Sequence, residues 1–134
     1  MAIEPGLVGE YTTIVKESDT AAAVAGGNLP PVLSTPRVVS LLETTAHSAI
    51  EKFLAEGQTS VGVSVHLNHT AATPVGMQVR FRLELLEVDG RRLRFKVEAW
   101  DEVEQFASGE HERFIIDCAR FAERLEKKVQ SLKK

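Results

Sequence analysis

Three side chains in this sequence have types suited to acyl or proton transfer, and their settings only partly explain them: Thr35, Glu43 and His69. Glu43 sits in a helical pattern whose i−4, i+3 and i+7 neighbours are Val39, Ala46 and Ile50, so its carboxylate lies within an apolar stripe. An ionised group there is costly unless it is paired or faces a wet cavity. A carboxylate so placed can serve as nucleophile or general base. Its structural alternatives are an edge residue that reaches out to water, or a pair with His47 one turn later. His69 closes the stretch VHLNH, at the point where a strand gives way to the small residues and proline of TAATP. It shares odd parity with Val61, Val63, Val65 and Leu67, which places it on the core side at the strand's end. It can shuttle a proton, or it can be a partly buried histidine bonded to a loop carbonyl. Thr35 precedes a helix. Its hydroxyl can cap that helix, which alone would justify the residue. The same position puts the hydroxyl at the positive end of the helix dipole, which favours developing negative charge. Gly62 interrupts a valine-rich strand, either as a bulge or close-packing site, or as a place where a ligand carbonyl reaches a backbone N–H.

Other chemistries find little support. His66 has the opposite parity to His69, so the HxxH spacing on a strand does not make a zinc pair. Glu43 and His47 share a helix face, but two ligands do not make a metal site. His47 and His111 are read as solvated or structural. The chain has no glycine-rich phosphate loop, no GxSxG elbow and no CxxC pair, and the single cysteine, Cys118, is assigned no role.

The elements that must position these residues follow from periodicity. Leu7 to Val15 reads as a first strand, with Thr12 and Thr13 favouring extended backbone. Residues 18–34 hold Gly26, Gly27, Pro30 and Pro31, the composition of a loop or mobile flap with an alanine-rich start able to form a helical turn. A helix then starts with Thr35 as cap and Pro36 at the first position, and it is apolar on more than one face up to Gly57, so it is largely buried. Strands follow at 59–69, 77–88, from Leu93 onward and at 106–116, each with one apolar and one polar face, and Asp89-Gly90 makes a hairpin turn. The end, CARFAERLEKKVQSLKK, is an amphipathic helix. This order (strand, flap, buried helix, antiparallel strands) is satisfied by a curved sheet wrapped around a central helix, the hot-dog arrangement of the α+β class. Five strands leave two edges to protect, so a dimer or larger assembly is expected.

Composition bounds the rest. A chain of 134 residues with 43% hydrophobic content fits one domain, taken as 1–134. The net charge of −3, with signs interspersed, gives no surface built for nucleic acid. The absence of an apolar run near the roughly 20 residues that span a bilayer, and of a basic segment leading into an apolar one, leads us to expect a soluble cytoplasmic protein without a membrane partner.

The chain resembles the fluoroacetyl-CoA thioesterase type of hot-dog thioesterase, from GLVGE near the start to HERFIID near the end. The densest correspondence is STP, LLE, SVGVSVHLNHTAATPVGMQV and LLEVDGRRLRFKVEAWD. That family's catalytic threonine precedes its glutamate by eight residues, its histidine follows by twenty-six, and a glycine stands seven before the histidine; Thr35, Glu43, His69 and Gly62 have those spacings. The resemblance implies hydrolysis of a small acyl-CoA thioester, with CoA as part of the substrate and no separate cofactor. It also implies a homodimer in which Thr35 and Glu43 work with His69 of a second chain. Arg113, in HERF, becomes a candidate for contact with the CoA phosphates; its structural alternative is an exposed strand residue paired with Glu110 or Glu112. One departure concerns the lid: residues 19–34 carry no Phe, Tyr or Trp, whereas fluoroacetate-specific members close the pocket with an aromatic. Acyl-CoA dehydratase chemistry on the same fold and a non-catalytic acyl-CoA binding module are the competing functions.

Overall fold

The computed structural model describes residues 3–133. Its strands are β1 (Val8–Ile14), β2 (Gln58–His69), β3 (Gln78–Asp89), β4 (Arg92–Trp100) and β5 (Gln105–Asp117); its α-helices are α1 (Ala21–Ala25), α2 (Thr35–Ile50) and α3 (Cys118–Ser131). Lys134, the end of the expected terminal helix, lies outside the described residues. The strands form one antiparallel sheet in the order β1-β3-β4-β5-β2, so β1 and β2 are its edges.

The alternating pattern explains which side packs. Val79, Phe81, Leu83 and Leu85 of β3, with Leu93, Phe95, Val97 and Ala99 of β4, are all at most 1% exposed. They meet Val38, Leu42, Ala46 and Ile50 of α2 in one continuous core. Fully burying each large aliphatic or aromatic chain contributes roughly 1.5–3 kcal/mol, so this seam supplies most of the driving force. The opposite face carries ion-pair ladders, including Arg94 with Glu110 at 3.2 Å and Arg92 with Glu112 at 3.6 Å. Gly9 of β1 lets α2 approach, since a β-carbon there would stand 2.7 Å from that of Ala49. Gly90, at φ 61°, takes the first central position of the β3–β4 hairpin, where a II′ turn requires glycine.

Two local expectations change. The register of β2 against β5 shifts between Gly62 and Ser64, leaving Val63 bulged and 47% exposed. One extra residue inverts parity. The inward residues are therefore Ser60 and Gly62 before the bulge, and Val65, Leu67 and His69 after it, so Val61 and Val63 do not share a single inner face with Val65. The flap is also tied at both ends. Buried Asp19 binds Arg37 at 2.8 Å, Ser34 N–H donates to Asp19 O at 3.0 Å, and Thr20 bridges Leu33. Its tip, around Gly26 and Gly27, is exposed.

Candidate active site

Ser34, not Thr35, caps α2: its hydroxyl accepts the N–H of Arg37 at 3.2 Å, and Pro36 falls within the first turn. That frees the Thr35 hydroxyl, which lies 2.8 Å from His69 Nδ1. The contact depends on a stitch between two loops. Leu33 N–H donates to Thr73 O at 2.9 Å and Val32 bridges Pro74, so the chain entering α2 lies beside the chain leaving β2. Thr73 is in turn held by Asp101, whose carboxylate accepts its hydroxyl at 2.8 Å along with two backbone N–H groups of the β4–β5 turn.

The His69 ring packs edge-on against Phe106, with centroids 5.8 Å apart. Its Nε2 is walled off without a hydrogen-bond partner. Burial pushes the imidazole below its ordinary pKa; the Ala71 backbone opposes this in part, but no hydrogen bond of good geometry reaches Nε2. A neutral ring with Nδ1 accepting the Thr35 O–H is the arrangement of a base facing an alcohol. Thr35 stands between two openings. One cleft of about 310 Å³ is lined by Thr35, His69, Thr70, Ala71 and Ala72, among others. The other, about 300 Å³ and mostly apolar, lies under the flap against Val24, Ala25, Leu29 and Pro36.

Contrary to the expected division, Thr35 meets His69 of its own chain and not of a second one, and it is Glu43 that does not join this pair within one chain. Eight residues of helix separate it from Thr35 by about 12 Å along the axis and about 80° around it. Its carboxylate instead lies over Gly62, where a β-carbon would stand 2.9 Å from Oε1 and 3.4 Å from His111 Cε1. Glu43, Thr44, His47, Ser48 and Arg113 line a separate cleft of about 220 Å³.

Arg113 is not the exposed strand residue that its charged neighbours suggest. It is 7% exposed, on the inner side of β5, and pairs with neither Glu110 nor Glu112, which bind Arg94 and Arg92 on the outer face. Nε donates to Ser60 Oγ at 2.8 Å, one terminal nitrogen donates to Ser60 O at 2.9 Å, and the other reaches His111 Nε2 at 3.2 Å. His111, fully buried, contacts Ser64 O through Nδ1 at 2.8 Å. With the guanidinium donating to Nε2, Nδ1 is the protonated nitrogen and the ring is neutral; burial is the main cause of its lowered pKa. His47 completes the group, with Nδ1 2.7 Å from Ser60 Oγ. Sequence reasoning passed over Ser60 and the inward face of His111. The available pointers were two i,i+2 pairs, Ser60 with Gly62 and His111 with Arg113. Among the described residues no group of three or more His, Cys, Asp or Glu side chains is placed to hold a metal, and no helix is long and apolar enough to cross a membrane.

An antiparallel sheet around a buried helix, with a further helix at the C-terminus, is the hot-dog fold of the thioesterase superfamily. The profile of the fluoroacetyl-CoA-specific thioesterase family matches residues 15–119, and the chain belongs to that family of acyl-CoA thioester hydrolases. It is 38% identical to the fluoroacetyl-CoA thioesterase of Streptantibioticus cattleyicolor over 100 residues, 75% of this chain and 72% of the relative. A crystal structure of the fluoroacetyl-CoA thioesterase superposes with a TM-score of 0.90 at 31% identity, over 96% of this chain and 98% of that one. A thioesterase superfamily member from Thermus thermophilus also superposes at 0.90, with 26% identity over 98% and 96% of the two chains.

Proposed function

We propose that this chain hydrolyses a small acyl-CoA thioester at a site completed by two copies of itself. The carrying observation is the 2.8 Å contact between the Thr35 hydroxyl and a neutral, partly buried His69. In this reading Thr35 Oγ attacks the thioester carbonyl carbon while its proton passes to His69 Nδ1. The C–S bond breaks, and the proton leaves with the thiol of CoA. Water then cleaves the acyl-threonine ester, releasing the carboxylic acid and restoring the hydroxyl. Glu43 takes a proton from that water and a proton is returned, through His69, to the departing Thr35 oxygen, while the Gly62 N–H stabilises the oxyanion. The acyl group enters the apolar opening against Val24, Ala25 and Leu29. Among the described residues no aromatic side chain lines that opening, which argues for acyl selectivity different from the fluoroacetyl preference named for the relatives.

Two copies are required because Glu43 and Gly62 lie apart from Thr35 and His69 in a single chain. The uncovered edge of β2 supports such a contact. It is 12 residues long and contains no Lys, Arg, Asp, Glu or Pro, the residues that usually block an edge. Antiparallel pairing of two β2 strands about a two-fold axis carries the Glu43 half-site of one copy toward the Thr35–His69 half-site of its partner.

The test mixes two inactive variants, Glu43→Gln and His69→Ala, and follows thiol release from acetyl-CoA and longer acyl-CoA thioesters. With a shared site, each mixed dimer keeps one intact site, so after random exchange about a quarter of wild-type activity returns, reasoning from the symmetry of an isologous contact. No recovery on exchange overturns the shared site. A wild-type chain that binds acyl-CoA and releases no thiol overturns the thioesterase reading itself.

A further inference from the structure

The inward positions that gather at Glu43 carry polar side chains or, at Gly62, none, in a part of the sheet where a hydrophobic layer would ordinarily continue. Ser60 and Gly62 come from β2, His111 and Arg113 from β5, and Glu43 and His47 from α2. Gly62 is paired directly opposite Arg113 in the ladder. The missing side chain at Gly62 is the space that the Glu43 carboxylate fills. A nearly fully buried guanidinium is retained only where its charge and donors are answered. Three of its nitrogens are answered by Ser60 and His111, and its charge faces Glu43, which raises the arginine's pKa against the lowering caused by burial. Glu43 and Arg113 make no direct ion pair but flank the same cleft, with the carboxylate lying over Gly62.

We propose that Arg113 is a positioning residue for Glu43: Ser60 and His111 lock its guanidinium beneath the helix, and the fixed charge holds the carboxylate over Gly62. This assigns Arg113 to the reacting end of the substrate rather than to the phosphates of CoA. At 7% exposure, with Nε and one N–H of each terminal nitrogen already engaged, the guanidinium meets the cleft only beside the Glu43 carboxylate, a setting that disfavours a diphosphate. The inference rests on the thioesterase reading for its kinetic consequence, and a separate spectroscopic measurement tests the arrangement itself.

Arg113→Lys keeps the charge and loses the fork that reaches Ser60 twice and His111 once. Rates are compared on acetyl-CoA and on S-acetyl-N-acetylcysteamine, which has the same thioester without phosphates. The expected result is a kcat fall of about 10²-fold on both substrates, with KM for acetyl-CoA changed by less than about threefold, as for a misplaced reacting group. Ser60→Ala removes one anchor and leaves two, and a several-fold fall on both substrates is expected; it serves where Arg113→Lys does not fold. A loss confined to KM for acetyl-CoA, with the truncated thioester unaffected, overturns the inference in favour of a phosphate contact. So do wild-type rates in both variants. The carbon-13 resonance of the Glu43 carboxylate, assigned through Glu43→Gln, is followed in parallel. It is expected to move in Arg113→Lys and Ser60→Ala and to stay in place in Arg80→Ala, an outer-face control. This readout needs no turnover, so a wild-type chain without thioesterase activity still decides the inference: an unmoved resonance overturns it.

Discussion

Substituting Gly62→Ala asks for one methyl group where the Glu43 carboxylate now lies. The new carbon would stand 2.9 Å from Oε1, and ordinary contact begins at 3.4 Å, so the carboxylate must retreat by about 0.5 Å. The obstacle is the far end of a flexible side chain, and Gly62 has no positive φ, so the fold absorbs the change cheaply. Alanine also lowers the entropy of the unfolded chain, which offsets the clash, and the net stability change should stay within about 1 kcal/mol. Catalysis has less tolerance. Misplacement of a reacting group by about 1 Å costs on the order of 10²-fold, so a shift half that size should lower kcat by about 10-fold or more, equivalent to about 1.4 kcal/mol or more of barrier. The backbone N–H survives the substitution, so oxyanion stabilisation is not what is lost. The assay pairs thiol release from acetyl-CoA with a thermal melt. A folded Gly62→Ala protein turning over at the wild-type rate would refute the reasoning, because the carboxylate's position would then be irrelevant to the chemistry.

Adjacent residues at the start of α2 should separate stability from activity: Ser34→Ala loses the cap and about 1 kcal/mol, while Thr35→Ala leaves the cap and removes thiol release. Melting curves and rates on both variants check this, and equal stability losses would contradict the assignment of the cap. The pH response follows from His69 and His111, whose pKa values are lowered by burial. Below the ordinary imidazole value of about 6.5 the unfolded chain binds protons that the folded chain refuses, so stability is fully present above that pH and falls as pH drops toward the lowered native values. Melting temperatures should therefore decline from about pH 6.5 to 5, before the window in which Asp101, held below the usual carboxylate range by its backbone and Thr73 hydrogen bonds, begins to titrate. A flat profile across that interval would count against two buried neutral imidazoles. Turnover should keep its base form slightly further into acid than free imidazole would, visible as an acid limb below about 6.5 in kcat/KM.

Much of this architecture was legible because it is periodic. The alternation in β3 and β4, and the broad apolar surface of α2, specify a sheet on a helix without further information. The family resemblance drew Thr35, Glu43 and His69 together as a site, but it could not say that the first and last meet within one chain while the middle residue stands apart. Two side chains at the helix start can both cap, and only the stitch from Leu33 to Thr73 decides which hydroxyl is spared for His69. The bulge at Val63 was hidden because an exposed valine in an unbroken alternation looks like a buried one. Arg113 was misplaced to the surface for a related reason. Inward positions are recognised by apolar residues, and at 111 and 113 the inner face is itself polar. The tethering of the flap rests on Asp19 finding Arg37, a pairing between residues 18 apart that no local pattern announces.

The anchoring of that flap has a practical consequence. Asp19–Arg37, Thr20–Leu33 and Leu33–Thr73 form a closed collar at its base, and everything distal, from Val24 to Pro30, hangs from it as a removable cassette. Such a design lets the tip be rewritten in length and bulk while the alcohol and the imidazole keep their registration. Substrate range and reaction machinery can then diverge independently along a lineage, and a library confined to the tip should yield new acyl preferences from a scaffold that still performs the same hydrolysis.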